Sequence, residues 1–421
     1  MSPTLPAAGS FTSRQKIVVA ILAFLQFTIV LDFMLLSPLG AIVMPALSIS
    51  TAQFGLVVSV YAFSAGVAGF LAAGYADRFD RKTMLLVFYA GFLAGTLLCG
   101  MVSTYHGLLV ARMVAGLFGG VVSAVSMAII TDLFPLQMRG RVMGIVQTAF
   151  AASSVLGIPL ALVLSNHGGW NKPFLLIAGV GALVGVLIKW GLPAVRGHLA
   201  HHPDRKPLHH LLSTLANRHY LLGFAATGLL TVGGFMLMPF VSIFTVHNVG
   251  IPVEKLPVMY TVTGIASIVM GPLIGRASDS FGKLKVFLFG CIVTIVMVTI
   301  YTHLHVVPLA MLIAVMVVLH IGIFSRMISS TALTSALPQP TDRGAYMSIS
   351  SSLQQMSGGI AAVIAGSIVA QAPDGTLLHF PVLGYVLICT TLLSLALMAL
   401  IDRRVREGEA PLVPRPAVAP E

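Results

Sequence analysis

The chain has 421 residues, of which 57% are hydrophobic and only 9% are charged, and its formal net charge is +11. An ordinary soluble domain carries about 25% charged residues. The composition therefore excludes a soluble globular protein and indicates a protein of the lipid bilayer, in agreement with the mean hydropathy of +0.97. The three cysteines lie in apolar runs and indicate no disulfide framework.

Twelve charge-poor runs are each long enough to cross the bilayer as a helix, which takes about 20 apolar residues. They lie at roughly 17–42, 53–75, 83–104, 107–131, 142–165, 174–192, 220–246, 257–275, 286–304, 307–335, 345–370 and 378–401. A backbone in lipid must satisfy its own hydrogen bonds, so these runs predict helices and an all-α polytopic membrane protein.

The positive charges are distributed unevenly between the predicted loops. Most of the 24 lysine and arginine residues fall in loops that share a side with the N-terminus. The positive-inside rule then predicts that this side, and both termini, are cytoplasmic. This distribution accounts for the net charge, so we expect the lipid bilayer and no nucleic acid as a partner. The first 16 residues show no signal-peptide pattern, and we expect them to be retained.

Asp32 is the only acidic residue deep in a predicted span. An ionised carboxylate there is costly unless it is paired, hydrated or protonated, which indicates a proton site. Arg112 in the fourth span lies at a similar predicted depth, so a change in their separation could switch the proton affinity of Asp32. One alternative to this switch is that Asp32 and Arg112 form a permanent ion pair. Another is that the two side chains do not meet. Beyond Asp32, Pro38 predicts a bend in the first span.

The loop after the second span carries the segment GYADRFDRKTML at 74–85, and a related segment, GRASDSFGKLKVFL, follows at 275–288. Two other stretches, LFPLQMRGRVMG at 133–144 and LPQPTDRGAYMS at 337–348, are separated by about the same distance. Repeats half a chain apart predict two pseudo-symmetric halves of six helices each. Such an arrangement is typical of transporters with a substrate site near the bilayer midplane.

A long polar segment separates the sixth span from the seventh and suggests a domain boundary. We predict a six-helix bundle at 1–192, a cytoplasmic linker at 193–219, a second six-helix bundle at 220–405 and a disordered tail at 406–421. The linker is rich in histidine, for which metal binding and a solvated loop beside the membrane are the alternatives. We expect no metal site.

The GYADRFDRK segment, its place after the second span and the twelve-span layout resemble motif A and the layout of the major facilitator superfamily. Asp80 stands where that motif has a second glycine, which predicts a different turn. The stretches LDFMLLSPLGAIVMPAL, ARMVAGLFGG and GIPLALVLSNHGGWNKPF are similar to bacterial drug:proton antiporters and sugar-efflux permeases. The resemblance implies that Arg112 is linked to proton transfer, with Ala115 at a position that usually holds glutamine. It also implies that Gly157 and Pro159 belong to the antiporter motif of helix 5.

Motif A also predicts a conformational gate on the cytoplasmic side. Gly74 permits close helix approach, and Asp77 can interact with the positive end of a neighbouring helix. The cations can bind acids such as Asp132 or anchor at the lipid surface. The predicted gate residues are Gly74, Asp77, Arg78, Arg81, Lys82 and, from the second half, Asp279. A basic loop that only sets the orientation is the alternative.

Polar side chains within the spans are candidate substrate ligands. Arg326 has no acidic partner within a span of the second half, so it can bind an anionic or carbonyl-bearing substrate or extend toward the cytoplasm. Glutamines offer both donors and acceptors, and interhelical hydrogen bonds are their alternative role. The predicted substrate-binding residues are Gln26, Gln147, Arg326, Gln354 and Gln355.

The sequence contains no phosphate-binding loop and no helical metal-ligand spacing. We therefore expect neither an enzyme nor a cofactor. We predict a monomeric, proton-coupled secondary transporter of the bacterial inner membrane that exports a small-molecule substrate by alternating access. Proton-coupled uptake by symport is the closest alternative, and a membrane sensor that does not transport is a second.

Overall fold

The computed structural model describes residues 11–75, 79–196, 207–339 and 342–409. Its first half contains the helices α1 Ser13–Leu35, α2 Gly40–Leu47, α3 Thr51–Tyr75, α4 Arg81–Met101, α5 Tyr105–Leu133, α6 Leu136–Ala152, α7 Ile158–Gly168 and α8 Lys172–Gly191. After α9 Pro207–Ala216, the second half contains α10 Arg218–Leu237, α11 Val241–His247, α12 Leu256–Phe281, α13 Lys283–Thr302, α14 Leu309–Thr334, α15 Arg343–Ile368, the short antiparallel strands β1 Ala370–Gln371 and β2 Leu377–Leu378, and α16 Phe380–Glu409. A π-helical turn, Ser153–Gly157, joins α6 to α7.

Eleven helices of the described residues are long and apolar enough to cross a membrane. The remaining predicted span, 345–370, corresponds to α15, which has 26 residues but carries several serines and two glutamines. Its polar composition follows from its position, because α15 packs against α3 of the other half and its serines are partly buried there. Large apolar side chains such as Phe24, Leu183 and Trp190 are exposed on the surface, as expected beside lipid. The predicted twelve-helix fold in two halves is confirmed.

Two prolines break the first helix of each half at equivalent places. The helix α1 ends at Leu35, shortly before Pro38, and α2 resumes at Gly40. In the second half, α10 ends at Leu237, and Pro239 lies in the 3₁₀ turn that leads into α11. Proline has no backbone N–H to donate to the preceding turn, which explains both breaks. The bend expected at Pro38 is present, and the second half repeats it.

The two membrane faces of the fold differ in how the halves meet. We call the face that carries Arg14, Arg81 and Lys283 the basic face, and the face that carries Thr51 and Val369 the far face. Each helix that crosses the fold runs from one of these faces to the other.

At the far face, one hydrophobic cluster contains residues of both halves. The rings of Phe54 and Phe240, for example, meet across the interface with centroids 6.1 Å apart. Toward the basic face, by contrast, the largest cluster of the first half and the cluster around Phe287 in the second half are separate. The halves therefore share a large cluster at the far face and a smaller one, around Tyr346, toward the basic face.

The segment predicted as a linker contains the helix α9, which packs against both α3 and α15 near the basic face. Leu211 of this helix belongs to a small cluster with Tyr220 and Tyr346 of the second half, against which Phe70 of the first half packs. The middle of the linker, at 197–206, lies outside the described residues, as does 410–421 of the predicted tail. The final helix α16 extends to Glu409.

Candidate functional site

Asp32 and Arg112 form a buried ion pair inside the first half. Arg112 Nη1 lies 2.9 Å from Asp32 Oδ2 and donates a second hydrogen bond, 3.0 Å long, to the backbone carbonyl of the same residue. The exposed fraction is 0% for Asp32 and 1% for Arg112. The guanidinium carbon of Arg112 also lies 4.3 Å from the ring centroid of Tyr61, a cation–π contact. The structure thus brings together the two charges that the sequence placed at similar depth, and their role in proton transfer stays a prediction.

Glycines of α5 let α3 approach closely enough for Tyr61 to reach Arg112. A Cβ atom added to Gly116 would lie 2.4 Å from the carbonyl oxygen of Tyr61, and one added to Gly120 would lie 2.2 Å from the carbonyl oxygen of Ala65. Any side chain at these two positions would push α3 away. The GLFGG sequence of α5 therefore sets the distance between the Tyr61 ring and the guanidinium.

Helix packing explains why Ala115 stands where the resembled motif usually has glutamine. It is fully buried and faces α4 at Gly95, where an added Cβ atom would lie 2.5 Å from the Ala115 backbone nitrogen. Two small residues meet here, so α4 and α5 are in close contact and leave no room for a glutamine side chain.

Several buried polar atoms at this site have no hydrogen-bond partner within the described parts of the chain. They are Asp32 Oδ1, the Tyr61 hydroxyl, Thr96 Oγ1 and Arg112 Nε. Arg112 contacts Asp32 through Oδ2 and the backbone carbonyl, so Oδ1 takes no part in the ion pair, and the Thr96 hydroxyl lies close enough to interact with the carboxylate. A buried ion pair is costly to break by removing one charge, since the other is left uncompensated. The two charges therefore stabilise each other, and a protonated state of Asp32 stays a prediction.

A cavity of about 70 Å³ lies where the halves meet. Its lining residues come from α1, α3, α5 and α15, and none of them is charged: Gln26, Ile29, Val30, Phe33, Tyr61, Ala65, Gly119, Gly120, Ser123 and Gln355. Tyr61 belongs both to the cavity wall and to the surroundings of Arg112. Pockets that hold drug-sized ligands measure about 300–1,000 Å³, so a ligand of that size needs a wider state than this one.

Two of the predicted substrate-binding residues, Gln26 and Gln355, line the cavity from opposite halves. Gln147 and Gln354 are exposed and are not among its lining residues. The role of all four glutamines as substrate ligands stays a prediction.

Arg326 is 2% exposed and packs beside Cys291 of α13, away from the cavity lining. Its Nε and Nη2 atoms have no hydrogen-bond partner among the residues that the structure describes. Arg326 is not among the residues that line the cavity. Its contact with substrate therefore stays a prediction.

Gly157 and Pro159 lie where the fifth span changes from a π turn to α7. The wide turn accommodates a proline that cannot donate a backbone hydrogen bond. Gly157 faces Leu31, the neighbour of Asp32, while Ser154 of the same turn packs against Gly264 of the second half. This motif is therefore located between the helix that carries Asp32 and the opposite half.

The predicted gate residues are only partly within the described structure. Gly74 lies in the last turn of α3 and Asp279 is exposed near the end of α12, whereas Asp77 and Arg78 lie outside the described residues. Arg81 is buried, and its Nε lies 3.1 Å from Asp132 Oδ2 at the end of α5. This contact is one that the basic loop was expected to make, and the gating role itself stays a prediction.

Asp80 caps α4 and connects it to the segment that follows α8. Its Oδ1 accepts hydrogen bonds from the backbone amides of Lys82 (3.0 Å) and Val195 (3.2 Å), and its Oδ2 accepts one from Arg196 Nε (3.0 Å). Burial alone would raise the pKa of Asp80, but the hydrogen bonds from Arg196 and the two amides outweigh it and lower the pKa below its usual value. The residue that replaces the motif glycine is therefore a helix N-cap.

Sequence reasoning missed Tyr61, Phe33 and the capping role of Asp80. The available signals were weak. A tyrosine in an apolar span has a polar end that needs a partner, and an aspartate just before a helix is a preferred N-cap. Neither signal names the helix that supplies the contact.

Comparisons of sequence and fold show which known proteins this chain resembles. A model of the Major Facilitator Superfamily matches residues 22–247 and 223–419. The chain is 28% identical over 268 residues to the uncharacterized MFS-type transporter YceJ of Bacillus subtilis, covering 63% of this chain and 67% of that protein. It is 24% identical over 250 residues to the chloramphenicol efflux pump Rv0191 of Mycobacterium tuberculosis, covering 58% and 59%. Its fold is similar to that of a D-xylose-proton symporter, with a TM-score of 0.74, 15% identity and coverage of 92% and 97%.

Proposed function

Because this chain belongs to the Major Facilitator Superfamily, we propose that it is a proton-coupled transporter that exports a small organic molecule across the inner membrane of a bacterium. That it is a multi-pass membrane transporter follows from its family and its MFS-type relatives. The observation that carries the coupling proposal is the buried Asp32–Arg112 pair beside the cavity.

Coupling follows from the two protonation states of Asp32. When Asp32 is ionised, Arg112 neutralises it over 2.9 Å. A proton that binds at Oδ1 removes this negative charge, and Arg112 then keeps the carbonyl of Asp32 and the ring of Tyr61 as its acceptors. The weaker interaction lets α1 and α5 shift relative to each other, so the proton favours one conformation of the transporter. When the proton leaves, the ion pair forms again.

Transport requires the two halves to open alternately at the two faces. The far face is closed by buried contacts between halves, including hydrogen bonds from Ser242 to Ser37 and from Thr51 to Val369. In the proposed cycle, substrate enters from the basic, cytoplasmic face, where Arg81 and the rest of motif A act as the gate. The far face then opens, substrate leaves and a proton reaches Asp32. Return of the proton to the cytoplasm resets the transporter.

Export is favoured over uptake by the relative whose name is chloramphenicol efflux pump. Proton-coupled uptake is the second candidate, because the fold is shared with a D-xylose-proton symporter. That likeness extends to the fold alone at 15% identity, so it does not favour a sugar substrate.

Transport by purified protein in proteoliposomes tests both coupling and direction. With the basic face outside and an acidic lumen, we expect radiolabelled chloramphenicol to accumulate inside as protons leave. Accumulation driven only by the opposite gradient would indicate symport, and transport indifferent to the gradient would contradict coupling.

The Asp32→Asn variant isolates the proposed proton site. We expect it to lose accumulation driven by the gradient, because an amide takes up no proton in this pH range. Asp402→Asn is the matched control, since Asp402 pairs with the exposed Arg406 at the end of α16, over 2.8 Å, far from the cavity. If Asp32→Asn accumulates chloramphenicol as the control does, Asp32 is not the coupling residue.

A further inference from the structure

Tyr61 is the one side chain of the cavity wall that also contacts the buried ion pair. We propose that the cavity binds an uncharged molecule with a flat face, and that Tyr61 is the positioning residue through which this molecule acts on the Asp32–Arg112 pair. This inference rests on the proposed function and specifies its substrate class.

The chemistry of the wall selects against a charged ligand. Its polar groups are the amides of Gln26 and Gln355, one from each half, and the hydroxyls of Ser123 and Tyr61. A charge moved from water into such a site needs a counter-charge. The nearest charges, Asp32 and Arg112, already neutralise each other over 2.9 Å. An uncharged ligand that exchanges hydrogen bonds with the two amides satisfies the wall and needs no counter-charge from that pair.

The shape of the wall favours a flat ligand. The rings of Phe33 and Tyr61 lie side by side with centroids 5.5 Å apart and planes inclined by 38°. Ile29, Val30 and Ala65 complete an apolar surface around them. An aromatic or heteroaromatic face packs against two neighbouring rings in offset or edge-on geometry. Sugars and flexible aliphatic chains make less favourable packing contacts with these rings.

A chain of ring contacts connects the second half with the ion pair. Phe235 of α10 meets Phe33 of α1 at 6.2 Å, Phe33 meets Tyr61 at 5.5 Å, and the guanidinium of Arg112 lies 4.3 Å from the Tyr61 ring. A ligand seated against Phe33 and Tyr61 changes the position of the ring that holds Arg112.

The titratable and charged groups that face Asp32 from the helices around it are Tyr61 on α3, Cys99 on α4 and Arg112 on α5. Only Tyr61 among them also lines the cavity. A change in the Tyr61–Arg112 contact alters how strongly Arg112 neutralises Asp32. Ligand binding is thereby linked to proton binding.

Proton release on ligand binding tests the role of Tyr61 directly. Saturating chloramphenicol, an uncharged probe, is added to purified protein in weakly buffered detergent solution, and an indicator dye reports released protons while bound radioligand is counted. We expect release from the wild type and from Tyr61→Phe, which keeps the ring and loses only a hydroxyl without a partner among the described residues. We expect Tyr61→Leu to bind chloramphenicol more weakly, because it lacks one ring of the wall. At concentrations that saturate the variant, it should release about tenfold fewer protons per bound ligand, because it has no ring for the cation.

Tyr301→Leu is the matched control. Tyr301 is equally buried, its hydroxyl also has no partner within the described residues, and its ring packs on Phe244 and Phe380 with no cation. It should release protons as the wild type does. If Tyr61→Leu does not fold, Phe33→Leu serves in its place, because it removes the ring between the second half and Tyr61. It should also weaken binding, and at saturating ligand it should release fewer protons per bound chloramphenicol than the wild type.

The charge of the ligand is tested with three molecules of the same shape, namely benzamide, benzoate and benzamidinium. We expect benzamide, at millimolar concentration, to compete with radiolabelled chloramphenicol and the two ions to fail. Competition by an ion as strong as that of benzamide would overturn the assignment of substrate class. Normal proton release from Tyr61→Leu with ligand bound would overturn the role of Tyr61 while leaving the proposed function intact. If the wild type binds chloramphenicol but releases no proton, and Asp32→Asn still transports against the gradient, the proposed function itself fails.

Discussion

The hydroxyl of Ser242 in the second half donates a buried hydrogen bond, 2.8 Å long, to the backbone carbonyl of Ser37 in the first half. Each residue lies beside one of the two proline breaks, Ser37 directly before Pro38 and Ser242 three residues after Pro239. The duplicated helix breaks therefore meet at the far face. The Ser37 carbonyl also accepts a bond, 3.2 Å long, from the Gly40 amide in the turn after the break, and its second lone pair accepts the bond from the other half.

We predict that Ser242→Ala weakens the closure of the far face. Loss of one buried hydrogen bond costs about 1 kcal/mol, and about 1 kcal/mol corresponds to roughly a fivefold change in an equilibrium. Amide hydrogen exchange in α2, measured by mass spectrometry, should become faster by about that factor. The control is Ser280→Ala, because Ser280 is exposed and its hydroxyl bonds only to the carbonyl of Arg276 in its own helix. Unchanged exchange in α2 would show that the bond does not contribute to closure.

We predict that the Asp32–Arg112 pair shows strong coupling in a double-mutant cycle. Removing one charge of a buried pair leaves the other uncompensated, at a cost of about 3–5 kcal/mol, whereas removing both costs less. The variants Asp32→Asn, Arg112→Met and their combination are compared by thermal unfolding in detergent. The exposed pair Asp402–Arg406 is the control, with an expected coupling of at most about 1 kcal/mol. Additive effects at Asp32 and Arg112 would contradict the buried pair.

We predict that Gly120→Ala separates α3 from α5 and lowers stability by about 1–3 kcal/mol, because its Cβ atom would lie 2.2 Å from the carbonyl oxygen of Ala65. The matched control is Gly179→Ala in α8, where nothing lies within 4 Å of an added Cβ atom. This control should be neutral or stabilising by up to about 1 kcal/mol. Thermal unfolding separates the two, and equal effects would show that the close approach of α3 to α5 is not needed.

We predict that the stabilising effect of Asp80 depends on pH. Its folded pKa is lowered, so its contribution is complete above the unfolded pKa of about 3.9 and is lost as the pH falls through the folded value. Asp80→Ala should therefore lower stability at pH 7 by about 1 kcal/mol through loss of the cap, and the difference from wild type should shrink below about pH 4. The exposed Glu254→Ala is the control. A difference that stays constant down to low pH would mean that the carboxylate charge is not what stabilises the cap.

The elements of the fold were predictable, and their contacts were predictable only in part. The apolar runs located all twelve spans, including α15, whose serines and glutamines keep it below the apolarity of the other eleven. Depth along a helix placed Asp32 and Arg112 at the same level. The break at Pro38 was predicted from its missing N–H, whereas its counterpart at Pro239 was not noticed in the sequence.

The candidate site was less accessible to sequence reasoning. Gln26 and Gln355 were named as substrate ligands and line the cavity, but Arg326 was named on the same grounds and packs beside Cys291 instead. All three residues were chosen because they are polar and lie within a predicted span. They differ in whether the side chain is on the face of its helix that points into the cavity, and the sequence does not give that orientation.

The apolar runs alone determined that this protein crosses a membrane twelve times, because the thickness of the hydrocarbon layer sets the length of each apolar helix. The internal repeats determined that it has two related halves. Only the tertiary structure decided that Asp32, Tyr61 and Arg112 meet beside a cavity. These residues come from three helices, and the rotation and separation of those helices depend on close contacts such as those at Gly116 and Gly120. Sequence spacing describes one helix at a time, whereas a site between helices is set by how they pack.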